Sequence, residues 1–115
     1  MKILVCGGRD YNDWDEFVMQ MTVVQQLNGS VTHIISGGAR GADFLAKVYA
    51  QTCNLNYDEY PADWDKHGRA AGAVRNQQML DYGRPDHVVA FPGGRGTADM
   101  VRRAKQQGFK VTECL

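Results

Sequence analysis

The chain reads as an α/β fold built on a parallel sheet, and three observations predict it. Short apolar runs alternate with stretches of helical periodicity, as in successive βαβ units. Three of the runs, Lys2 to Cys6, about Thr32 to Ser36 and about His87 to Phe91, are rich enough in apolar residues to be strands covered on both faces. Each of the three leads into a glycine turn that carries an arginine: Gly7-Gly8-Arg9, Ser36-Gly37-Gly38-Ala39-Arg40-Gly41 and Pro92-Gly93-Gly94-Arg95-Gly96.

The elements follow in order. Lys2 to Cys6 is the first strand. Asp13 with Glu16 fits a capping box. Trp14, Phe17, Val18, Met21, Val24 and Leu27 then keep helical spacing until Asn28-Gly29. After the second strand and its turn, Ala42, Leu45, Ala46, Tyr49 and Cys53 line one helical face. Asn56 to Tyr60 is a more polar third strand, and Pro61 to Gly68 is a long loop. Arg69 to Tyr82 is mostly helical, with Gly72 weakening its first turn and Gly83 ending it. Val88 to Phe91 begins the stretch that organises the chain: strand, glycine turn, then a helix capped by Thr97 and closed at Gly108. Lys110 to Cys114 is the last strand.

Right-handed crossovers make such a sheet parallel. The first, second and fourth strands are the most apolar and belong in the centre. The third and fifth carry Asp58, Glu59, Lys110 and Glu113, which suits edges. Order 3-2-1-4-5 satisfies both, giving one Rossmann-like three-layer domain over residues 1–115 with a five-stranded sheet. Its switch point lies between the first and fourth strands. The turns after them flank one crevice, with the Gly37–Gly41 turn beside it.

Bulk properties narrow the function. The chain has 115 residues, 43% of them hydrophobic, which suffices for one core without staples. Thirteen basic and thirteen acidic residues cancel. This leaves no electrostatic footprint for sequence-independent nucleic-acid binding. The three cysteines are odd in number, far apart and without a C-x-x-C pair, so neither a disulfide framework nor a metal site is expected. The first residues lack a signal-peptide layout, and no run approaches membrane-helix length. A cytoplasmic setting with no membrane partner is expected.

The turns themselves suit an anion. Gly7, Gly8, Gly37, Gly38, Gly41, Gly93, Gly94 and Gly96 let backbone approach a ligand, and the helix starts beyond them leave amides free. Four segments, CGGRDY, ISGGARGAD, FPADWDKHGRAAGAVRNQQML and FPGGRGTADMVRRA, together resemble the SLOG superfamily, and within it the small YspA/YpsA-related members of bacteria and phages. The resemblance covers nearly the whole chain. It implies a Rossmann-like fold that binds nucleotides or their derivatives. The superfamily includes the LOG phosphoribohydrolases and the DNA-processing protein DprA, whose glycine turn is similar to Ser36–Gly41. The LOG signature PGGxGTxxE is matched by Pro92, Gly93, Gly94, Gly96 and Thr97, and its helical arginine by Arg75, beside Asn76. Its glutamate is not matched. Met100 holds that position, and Asp99 sits one residue earlier, about 100° around the helix.

The remaining candidates carry two readings each. Arg40, Arg75 and Arg95 can fork onto a phosphate or serve as surface ion pairs. Arg9 joins the site or pairs with Asp10. Asp43 either accepts from a ribose hydroxyl or favours its helix dipole. Trp64 stacks on a base or plugs the core edge, while His67 meets a phosphate or is solvated.

The combined expectation is a sensor or binding module for a phosphorylated ribose-containing small molecule, a nucleotide or an ADP-ribose-like derivative, with no cofactor or metal. The alternatives are a LOG-like N-glycosidic hydrolase, with Asp99 as its displaced carboxylate, and a phage-type sponge for a signalling nucleotide. A homodimer or higher even-numbered assembly is expected, because the resemblance implies one and Met79, Met100 and Val101 read as exposed apolar residues.

Overall fold

The computed structural model describes residues 1–114. Five strands, β1 (Lys2–Cys6), β2 (His33–Ser36), β3 (Asn56–Glu59), β4 (His87–Ala90) and β5 (Lys110–Glu113), form one parallel sheet in the order β3-β2-β1-β4-β5. The polar strands are at the edges, as their charges require. Helices α1 (Trp14–Asn28) and α2 (Ala42–Thr52) cover one face. The other is covered by α5 (Arg95–Gln106) and by the π turn (Met79–Gly83) that continues α4 (Ala71–Gln78), with α4 packed against α5.

Two cores result, because alternate strand residues point to opposite faces. Ile3, Val5, Ile34, Val89 and Phe91 pack against α1 and α2. Leu4, Cys6, Ile35, Val88 and Ala90 pack against the π turn and α5. Under the switch point Phe91 stacks on Phe17 at 4.6 Å and meets Tyr11 at 5.2 Å, which anchors the turn after β4 from below. His87 bonds Thr112 across the β4–β5 pair at 2.7 Å, a structural role.

The strand-end loops are tied to one another. The Gly8 amide donates to the Pro92 carbonyl at 2.8 Å, and the Ala42 amide to the Gly8 carbonyl at 3.1 Å. Gly41 permits this. Its φ is +80°, and a Cβ there would collide with the Gly8 and Arg9 backbone.

Several local expectations are corrected. The segment Pro61 to Gly68 is not all loop: Trp64–His67 form a short helix α3, capped by Asp63 Oδ1, which accepts from the Lys66 amide at 3.1 Å. A 3₁₀ turn, Gly68–Ala70, links it to α4. Gly83 does end the helical stretch, as the last residue of the π turn, but it is buried where a Cβ would press on Ile35, and the left-handed cap conformation falls to Arg84 instead. Thr97 is not an N-cap, because α5 already starts at Arg95 with Gly94 in the cap position. Leu27 is 78% exposed. It points roughly 80° from Phe17 around α1, off the buried stripe of Phe17, Met21 and Val24. Cys53 is also exposed, and Ala50 takes the core position on α2. Finally, Met79, Met100 and Val101 are buried in the second core, so they supply no surface for self-association.

Candidate functional site

A cavity of about 410 Å³ opens at the carboxyl ends of the strands, beside the β1–β4 switch point. Gly7, Gly8 and Arg9 supply one wall, Asp43 and Trp64 another. Arg75 and Asn76 come from α4, and Gly94, Arg95, Gly96 and Thr97 from the start of α5. Eleven sequence-predicted residues thus meet in one place. Gly37 and Gly38 line a smaller adjoining pocket that shares Arg9, Trp64 and Arg75. Pro92 and Gly93 do not line the cavity; Gly93 packs against the Gly7–Gly8 backbone, and both border a separate pocket with Gly94 and Thr97. Gly41, Arg40, His67 and Asp99 line neither the cavity nor the adjoining pocket. Arg40 is exposed and reaches Asp10 at 3.4 Å, so the ion pair at this loop is Asp10–Arg40 rather than Arg9–Asp10.

The start of α5 is built to be left open. Its cap residue, Gly94, offers no side chain, and a Cβ at Gly94 or Gly96 would meet nothing within 4 Å. The first intrahelical bond is from the Ala98 amide to the Gly94 carbonyl. The amides before it carry the partial positive charge of the helix, and their residues, Arg95, Gly96 and Thr97, line the cavity.

Arg75 is held by its neighbours. Its Nη1 donates to the Gly37 carbonyl at 2.9 Å, and its Nε to Asn76 Oδ1 at 3.2 Å. Gly37 is glycine for this reason, since a Cβ would collide with the guanidinium. Asn76, buried, spends its Nδ2 on the Gly96 carbonyl at 3.1 Å and on Asp99 Oδ2 at 3.0 Å. It therefore positions Arg75 and fastens the first turn of α5 to α4, with its amide hydrogens already committed. Burial lowers the Arg75 pKa, with Asp43 opposing, yet a guanidinium stays charged at any working pH.

The two candidate carboxylates differ. Asp43 is 7% exposed and lines the cavity. Its Oδ2 accepts from the Ala39 amide at 3.1 Å. Burial raises its pKa, while the Ala39 and Gly37 amides and Arg75 oppose the rise. Asp99 faces away and is bound by Asn76, Arg102 and Arg103. Burial pushes its pKa up, but the Arg103 and Asn76 bonds and the two arginine charges outweigh that and bring it below the usual range.

Cys6, Ala39, Gly72 and Met79 also line the cavity, and sequence reasoning missed all four. Cys6 had a signal, since it ends β1 at the switch point. Burial pushes its thiol up to about 12, so it is a neutral wall rather than a nucleophile. No helix among the described residues is long and apolar enough to cross a membrane. Taken together, the site offers open helix amides, three arginines, one buried carboxylate and one exposed indole. That set suits a ligand with an anion, a hydrogen-bond donor and a flat ring.

The family model described as the YspA, cpYpsA-related SLOG family (YAcAr) matches residues 1–67, which include the first two glycine turns, Asp43 and Trp64. Gene 61 protein of Mycobacterium phage D29 is 34% identical over 121 residues, covering 96% of this chain and 93% of the relative. With that match over more than half its length and a sheet in the order its motifs require, the chain belongs to the YspA, cpYpsA-related SLOG family.

Proposed function

We propose that this protein binds a phosphorylated ribose-containing small molecule, a nucleotide or a derivative such as an ADP-ribose-like signal, and that it binds without cleaving it. The observation that carries the reading is the uncapped start of α5, which opens into the same cavity as Arg75 and Trp64. A phosphate on the amides of Arg95 to Thr97 would have Arg75, Arg9 and Arg95 around it. The Trp64 ring, 52% exposed at the rim, is available to a base.

The hydrolase reading loses support from α5. Met100, in the place of the LOG glutamate, is fully buried, and Asp99 is enclosed by three donors. A group that has to activate water or balance an oxocarbenium-like state must reach the sugar.

The test is Gly94→Asp. Gly94 has a negative φ of −104° and open space around it, so the substitution spares the fold while placing a carboxylate in the anion site. In a thermal-shift screen of nucleotides and ADP-ribose, wild type should be stabilised by at least one ligand and the variant by none. Chromatography of the same mixtures should show no free base after hours. An equal shift in both proteins, or steady release of base by wild type, would contradict the proposal.

A further inference from the structure

Resting on that reading, the cavity has two ends of opposite character. At the α5 end, open amides and Arg95 attract an anion. At the α2 end Asp43 repels one. A carboxylate in the first turn of α2 is favourable to the helix dipole wherever it points. That role needs neither its burial nor its contact with the cavity.

Among the described residues, nothing uses Asp43 fully. Arg75 lies next to it without forming an ion pair, because its Nη1 is drawn to the Gly37 carbonyl and its Nε to Asn76. The Ala39 amide donates to it, and the Gly37 amide lies alongside. A carboxylate has roughly four acceptor sites, so about half remain, on a group that borders the cavity. A ligand that fills this end must present donors there, and a phosphate presents none at neutral pH. Two adjacent hydroxyls on a five-membered ring match two vacant acceptor sites on one carboxylate.

We propose that Asp43 is the specificity-determining residue of the site: it accepts hydrogen bonds from the vicinal hydroxyls of ribose, so the cavity selects ribose over 2-deoxyribose in its phosphorylated ligand. Loss of one hydroxyl leaves a charged, buried acceptor unpaired, which is worth about tenfold or more in affinity.

The experiment is calorimetric titration with ribose 5-phosphate, 2-deoxyribose 5-phosphate and inorganic phosphate, probes that need no knowledge of the base. Wild type should bind the ribose compound at least tenfold more tightly than the deoxy compound. Asp43→Asn should bring the two within about twofold, while binding inorganic phosphate no more weakly than wild type. Equal affinity of wild type for both sugars, with both lost in Gly94→Asp, overturns the assignment of Asp43 and leaves the anion site standing. Failure of wild type to bind ribose 5-phosphate at all overturns the anion-and-ribose reading and this proposal with it.

Discussion

Asp43 and Asp99 show how one residue type takes opposite roles from its surroundings. Asp43 is held in a place that disfavours its charge, and its folded pKa is raised, chiefly by burial. A raised carboxyl pKa contributes stability that is present at low pH and lost as pH rises through the folded value. At pH 7 the ionised group therefore costs stability, as groups kept for function often do. Ligand-free Asp43→Asn should melt above wild type at pH 7, and the gap should close on acidification below the ordinary Asp value of about 3.9. Asp99 has the opposite sign. Its lowered pKa gives stability that is present above the unfolded value and lost as pH falls through the folded one. Asp99→Asn should lower the melting temperature at pH 7 by several degrees, corresponding to about 1–2 kcal/mol, and the difference should shrink in acid. Parallel melts of both variants from pH 3 to 8 check the two signs together. Equal and same-signed effects would mean that the environments of the two carboxylates have been misjudged. Sequence could not separate them. Asp99 owes its environment partly to Asn76, 23 residues away, and Asp43 is set beside Arg75 from a distant part of the chain.

At the scale of elements, the decisive feature is where α5 begins. A start at Arg95 turns Met100 into the sheet-facing core with Ala104 and Leu4. Met100→Ala should then cost about 2–5 kcal/mol, as truncations of buried methionine do. Met100→Glu should unfold the domain by burying an unpaired carboxylate, so it cannot serve to restore hydrolysis. Denaturant melts of the two variants measure both effects. Stability near wild type in either would place Met100 at the surface and reopen the cleavage reading. The short helix α3 was legible in principle: Asp63 stands three residues before Lys66, whose amide it caps. The π turn was not, because its last residue, Gly83, is set closely against Ile35 of β2, a contact made across the fold.

At the scale of the molecule, strand order was readable because composition differs so clearly between central and edge strands. A parallel sheet buries its middle on both faces, and Ile3, Leu4, Val5, Val88 and Val89 are all fully buried. From that order alone, the three glycine turns had to converge, and they do. Less legible was what each turn is for. Gly37 and Gly41 make room for Arg75 and for the neighbouring loop, whereas Gly94 and Gly96 face open space. Pattern cannot distinguish a glycine that accommodates protein from one that accommodates ligand. The surplus of apolar residues was also misread, since two separate cores absorb more side chains than one.

The central claim is that the ligand's anion sits on the first turn of α5. Backbone amide NMR of ¹⁵N-labelled protein titrated with ADP-ribose tests it most directly. The amides of Arg95, Gly96 and Thr97 should move most, with those of Asp43 and Arg75 following, and none of them should move in Gly94→Asp. Saturable shifts centred elsewhere, such as the shallow groove between Gln77 and Arg103, with an unperturbed α5 turn, would contradict the account.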